Sequence, residues 1–277
     1  MFRKRSAKER FWEILPGLSF WLFFSGAILL SFFRPVWAAL FIIAFDLYWV
    51  MKAINTSIHL VSSYRKFQLF VTINWLDHTT RLKDLPSFLD FLHLKLNQSK
   101  NRLEKNYYRD EITRLSKLDD NKTLDRDYRN LYHVVLFPFV DESFEVLDST
   151  FQALVAVDFP KDRLIVLLAS EERAGEQAQK TASQIKQKYG SLFHSFFVTI
   201  HPDGLPGEIK GKSANASYAV QEIVPELAKK GIGIDQVMVA NFDSDTTVHP
   251  QYFARVSYEF LTSDKPYRRS YQPIAIY

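Results

Sequence analysis

The sequence predicts an α/β chain: a mostly parallel sheet in its second half, preceded by two apolar helices and a charged helical stretch. Three observations carry this prediction. From His133 onward, short apolar runs alternate with helix-period segments, the pattern of βαβ units and a parallel sheet covered on both faces. Two long apolar runs stand near the N-terminus, separated by Arg34-Pro35. The strand-like run QVMVANF ends in Asp243-Ser244-Asp245, which places two carboxylates at i, i+2 beyond a strand's carboxyl end.

The first segment, 1–55, opens on Arg3, Lys4, Arg5, Lys8 and Arg10 against a single Glu9. This basic cluster abuts an apolar run, which points to a membrane surface and not to nucleic acid. Ile14–Phe33 is an uncharged run of 20 residues, about the length of a helix that crosses a hydrocarbon core. Its aromatic bulk argues against a cleaved signal peptide. Val36–Met51 is a second run, interrupted by Asp46 and with Trp37, Tyr48 and Trp49 near its ends, where amphipathic rings favour the interface. The pair reads as a transmembrane hairpin that keeps the basic N-terminus in the cytoplasm and returns the rest of the chain there. This predicts a multi-pass protein of the cell (inner) membrane with its α/β domain cytoplasmic. Asp46 either lines a path or pairs with another helix, or it sits near the interface of a shifted span, which the nearby Lys52 favours.

The second segment, 56–130, is a helical, interfacial linker region. Helix-period apolar positions run through Leu96, and a charged face follows. Tyr64, Phe67, Phe70 and Trp75 rest on the bilayer or, by preference, pack on the following domain. KLDDNKTLDRDYRN, from Lys117, is the polar, turn-rich linker.

The third segment, 131–277, holds the sheet. HVVLFPF (133–139), RLIVLLA (163–169), SFFVTI (195–200) and QVMVANF (236–242) read as strands. Residues 141–157, 176–189, 213–230 and 250–261 read as the helices between and after them, the last with Pro250 in its first turn. In such sheets ligands bind beyond the carboxyl ends of the strands. Three acidic turns fall on that rim: Asp141-Glu142, Ser170-Glu171-Glu172, and Asp243 with Asp245. Two carboxylates at i, i+2 suit one hard cation, Mg²⁺ or Mn²⁺, which keeps coordination positions for substrate phosphates. GEIKGKSANASYAV (207–220) adds Gly207 and Gly211 for a tight loop and Ser213 as N-cap. It also sets Lys210 and Lys212 at a helix N-terminus that favours an anion. His249 is a possible third ligand, although its place before Pro250 suits a helix entry.

The 277 residues include no cysteine, so disulfides, thiolate metal sites and a cysteine nucleophile are excluded. The formal net charge of +4 is modest.

PFVDE (138–142), GKSAN (211–215) and NFDSDTTVHPQYF (241–253), in that order, resemble the family 2 inverting glycosyltransferases of GT-A fold. The likeness extends to cellulose-synthase-like and other polysaccharide synthases, whose membrane members often carry two helices ahead of the catalytic domain. The resemblance covers Val134 to about Tyr277. It implies Asp243 and Asp245 at the metal and donor diphosphate, Lys212 facing the diphosphate, and Glu142 near the nucleoside. Glu171 would stand where the family has a base-contacting Asp, and Asn215 would follow the lysine as in some synthase-like members. The implied reaction is transfer of a sugar from a nucleotide-sugar donor, a UDP-sugar by expectation, to a lipid-linked or growing glycan acceptor. The family's acceptor-side Glu-Asp motif and Gln-x-x-Arg-Trp are missing from the 32 residues after Asp245. The catalytic base is therefore expected beyond Tyr277, and the chain reads as the donor-binding part of a longer product. Two other classes fit parts of the pattern. A sugar nucleotidyltransferase shares the metal chemistry but carries a Gly-rich loop after its first strand, whereas PFVDES has none. A non-catalytic membrane subunit would retain only the donor site.

Overall fold

The computed structural model describes residues 6–118, 125–206, 208 and 210–272. The chain divides between Phe70 and Val71 into two compact units.

In the first unit, α1 (Ala7–Phe33) and α2 (Pro35–Phe70) follow one another with Arg34 alone between them. Ser6 and Glu9 form a reciprocal capping box that starts α1, satisfying two backbone donors of its first turn. The Arg34 N–H bonds the Leu30 carbonyl at 2.8 Å and closes the helix. The pair touches through Phe23 and Phe41, whose ring centroids lie 5.4 Å apart, and buries Ala38. Trp21, Phe24, Ile42 and Trp49 point outward with more than half of their surface exposed. Both helices are long and apolar enough to cross a membrane, judged by length and composition. The segment boundary expected at residue 55 is not a break, because α2 continues to Phe70. Residues 52–70 contain neither Gly nor Pro, so nothing in their backbone chemistry stops a helix there. Lys8 and Arg10 of the basic cluster lie on α1, and Arg3, Lys4 and Arg5 lie outside the described residues.

The second unit begins with α3 (Trp75–Arg81), α4 (Leu85–Gln98) and α5 (Arg102–Ser116). Asn74, Asp84 and Asn101 start them as N-caps, each side chain accepting a backbone N–H, which satisfies a donor that the first turn leaves unpaired. These helices form a layer against the last helix, α9 (Tyr252–Leu261). Trp75, Phe88, Leu92 and Leu115 are buried, and Tyr258 of α9 is fully buried among them. Trp75 thus packs within its own unit, as the sequence favours, while Tyr64 on α2 stays exposed. Of the turn-rich stretch from Lys117, residues 119–124 lie outside the described residues.

The sheet comprises β1 (Tyr132–Pro138), β2 (Leu164–Glu171), β3 (Ser195–His201) and β4 (Val237–Asn241). All neighbours pair in parallel in the order β3-β2-β1-β4, with Val135 opposite Val166 and Ala240. The connecting helices are α6 (Phe144–Val155), α7 (Gly175–Tyr189) and α8 (Lys212–Lys229). One face of the sheet buries Val134, Leu136, Ile165, Leu167 and Ala169 against Ala219, Ile223 and Leu227 of α8. The other face is aromatic: Phe137 meets Phe151 of α6 at 5.3 Å, and Phe151 meets Phe196 at 5.6 Å. The chain winds outward from β1 to β3 and then crosses back to β4. The order therefore reverses between β1 and β4, the crevice where open α/β sheets place ligands.

Two histidines are buried as neutral rings. His133 pairs its Nε2 with Ser257 Oγ at 2.8 Å, and burial lowers its pKa to about 3. His78 lies among Trp75, Phe88 and Phe91, and burial lowers its pKa to about 4 against the raising effect of Asp77 and Glu111. The folded pKa values lie below the unfolded one, so the unfolded chain binds more protons below about pH 6.5, and stability falls with falling pH. Each histidine should remove about 2 kcal/mol between pH 6.5 and pH 5. Thermal unfolding of the full chain in mild detergent checks this, with a shallower pH dependence expected for His133→Gln.

Candidate functional site at the sheet's carboxyl rim

The site is built where β1 and β4 end. After Pro138 the chain continues through buried Phe139, whose N–H bonds the Ala169 carbonyl of β2 at 2.9 Å. It then turns so that Glu142 Oε2 accepts the Val140 N–H at 2.7 Å. Beyond β4, Phe242 N–H bonds Leu136 O at 2.9 Å and keeps the strand in register for one more residue. The side chains then alternate: Phe242 is buried, Asp243 exposed, Ser244 buried and Asp245 exposed.

Ser244 explains the orientation of its neighbours. Its hydroxyl donates to Glu142 Oε1, and its carbonyl accepts from Thr150 Oγ1 of α6 at 2.7 Å. With Ser244 held inward at both ends, both aspartates are directed to solvent. Burial works against charge on Glu142, but the Ser244 hydroxyl and the backbone N–H groups of its own loop hold its pKa below the usual carboxylate range. Glu142 is therefore an ionised clamp on the aspartate loop.

Lys212 is the first residue of α8, and its Nζ pairs with Asp243 Oδ1. The first turn of a helix leaves N–H groups without intrahelical acceptors, so an anion beside Asp243 would meet both a lysine and a helix N-terminus. Asp243 and Lys212 are both about half exposed or more, and such pairs contribute little to stability. α8 is anchored from below: Asn215 is buried, and its Nδ2 donates to the Ala169 carbonyl at 3.0 Å. Gly211, and not Ser213, occupies the N-cap position. Lys210 pairs with Asp203 at 2.5 Å, and Gly207 lies outside the described residues.

The structure therefore gathers Glu142, Lys212, Asp243 and Asp245 at the β1–β4 end of the carboxyl rim, and it places Glu171 further along the same rim, beside β3. β2 ends two residues later than expected, so Glu171 is a strand residue opposite His201 of β3. Its carboxylate pairs with Arg173. It lines a separate pocket with Arg173, His201, Asp203, Glu208 and Lys210, where His201 Nε2 bonds Glu208 at 3.1 Å. His249 accepts the Gln251 N–H on Nδ1 at 3.2 Å, which suits the helix entry. Pro250 precedes that helix by two residues instead of opening its first turn. SYQPIAIY (270–277) reads as a strand in the sequence, but residues 270–272 are not strand, and 273–277 lie outside the described residues.

No group of three or more metal-ligating side chains occurs among the described residues. Two outward carboxylates still match the usual holding of Mg²⁺, which takes one or two protein carboxylates and completes its shell with water and substrate phosphates. The donor set fits a cation that arrives with a phosphorylated ligand. Ser244 and Thr150 hold this rim in place, and the sequence reading missed both roles. The Asp-Ser-Asp alternation is a signal for the first, and nothing local marks the second, which lies 94 residues away. Fold and site define an α/β protein with an acidic and basic rim at its topological switch point. Comparison with family models, curated proteins and solved structures gives no match to this chain.

Proposed function

We propose that this chain carries the donor-binding site of a membrane-bound inverting glycosyltransferase of GT-A type. It would take a nucleotide-sugar, a UDP-sugar by preference, and serve a glycan or lipid-linked acceptor. The observation that carries the reading is the convergence of three distant segments, around residues 142, 212 and 243–245, on the switch-point rim. The two apolar helices support a bilayer anchor, and the basic residues ahead of them favour a cytoplasmic α/β domain.

In this reading Asp243 and Asp245 hold Mg²⁺ or Mn²⁺, which would neutralise charge on the leaving diphosphate as the glycosidic bond breaks. Lys212 exchanges Asp243 for a phosphate oxygen, and the N-terminus of α8 stabilises the same group. Glu142 and Thr150 keep the aspartate loop in position. Calorimetric titration of UDP into the full chain in nanodiscs tests the proposal. Binding that requires Mn²⁺ and is abolished by a chelator is expected, and equal binding without metal contradicts it.

A further inference from the structure

Asp46 is the one acid in the apolar part of α2, it is exposed, and no described residue partners it. Arg34 is the only residue between the two helices and marks one edge of the hairpin. Asp46 lies twelve residues further on, about 18 Å along the helix and so near the middle of a hydrocarbon layer of about 30 Å. This depth differs from the interfacial position that Lys52 favours in the sequence reading.

Asp46 also belongs to a regular seam. Ala39, Ile43, Asp46, Val50, Ala53 and Leu60 follow the alternating steps of three and four, or a full seven, that place residues on one helix face. All six are exposed, and this face is turned away from Ala38 and Phe41, which meet α1. The alanines flanking Asp46 allow close backbone approach. The seam runs on to Leu60, 68% exposed, at about 39 Å from Arg34 and beyond the reach of lipid chains.

We propose that α2 is a dimerisation helix: it packs in parallel against α2 of a second copy, and the two Asp46 carboxyl groups hydrogen-bond across the seam. The proposal rests on the membrane insertion read above. Two copies inserted alike carry Asp46 at equal depth, so the groups meet without any adjustment of register. Carboxyl groups are self-complementary, one donating its O–H and the other accepting. Neither Ile14–Phe33 nor Pro35–Met51 contains a Lys, Arg or His that could answer Asp46 in another way.

The chain has no cysteine, so single cysteines report proximity cleanly. The full chain is expressed with Val50→Cys on the seam or Ala44→Cys off it, and its membranes are washed with alkaline carbonate and then oxidised. Val50→Cys should form a disulfide dimer of twice the chain mass, and Ala44→Cys should not. In the Val50→Cys background, Asp46→Leu should lower the dimer about five- to tenfold, the loss expected of an interhelical hydrogen bond. Asp46→Asn, which still donates and accepts, should retain it. Release of the chain by carbonate sinks the membrane reading and the dimer with it. A carbonate-resistant chain overturns the dimer alone if it crosslinks equally at both positions, ignores Asp46→Leu, or crosslinks only to a protein of different mass.

Discussion

Asp243→Ala and Asp245→Ala should each lower Mn²⁺-dependent UDP binding by more than about a hundredfold. Loss of a metal's outer-shell partner already costs about 10- to 100-fold, and these two carboxylates are direct ligands in this account. The two substitutions are expected to differ without metal. Asp243 pairs with Lys212, so Asp243→Ala frees the lysine for phosphate and leaves a residual metal-independent affinity. Asp245 has no partner among the described residues, and its removal frees nothing. Ser244→Ala should give an intermediate loss, because it releases the aspartate loop from Glu142 without touching a ligand. Titration of UDP into each variant, with Mn²⁺ and with a chelator, separates these outcomes. A wild-type affinity in Asp245→Ala would contradict the metal assignment.

The largest effect on stability is expected at Tyr258. Its ring is fully buried, 5.3 Å from Trp75 and 6.3 Å from Phe88. Its hydroxyl donates to Glu111, which also holds Arg114 at 2.5 Å, and Arg114 reaches Glu259 at 3.2 Å. Burial, reinforced by Glu111, pushes the Tyr258 hydroxyl well above its ordinary pKa, so it stays a donor. Tyr258→Ala leaves a cavity and removes a partner from a buried carboxylate, a loss of about 3–5 kcal/mol. For a unit of this size that lowers Tm by roughly 6–20 °C. Tyr258→Phe keeps the packing and should lose about 1–3 kcal/mol, the range of one hydrogen bond to a charged group, while Glu111 keeps its pair with Arg114. Differential scanning of the full chain in detergent measures both, and a shift under 2 °C for Tyr258→Ala would show that the helical layer is not coupled to α9.

That coupling was hidden in the sequence. Glu111 and Tyr258 lie 147 residues apart, and the charged periodicity of α5 gives no sign of which helix its buried face meets. The region 56–130 thus reads as linker, whereas α3, α4 and α5 are a packed layer of the second unit. By contrast, β1–β4 and their helices were legible to within a few residues, because apolar runs such as HVVLF and LIVLLA have one use in a chain that alternates with helices. The rim was legible for the same reason: parallel strands put every carboxyl end on one edge. Position along the edge was not. Strand order separates Glu171, on β2 facing β3, from the β1–β4 crevice, and only that order distinguishes it from Glu142. The inward turn of Ser244 follows from period-two alternation continuing past β4, but its bond to Thr150 depends on where α6 settles on the sheet.

The central claim is that Lys212, Asp243 and Asp245, on a rim held in place by Glu142, surround one diphosphate. Photolabelling of the full chain in nanodiscs with an azido-UDP-sugar, followed by peptide mapping, tests it directly. The account predicts Mn²⁺-dependent label on the peptides that carry Lys212 and Asp243–Asp245, competed away by UDP. Label confined to other peptides, or unchanged when Mn²⁺ is chelated, would contradict it.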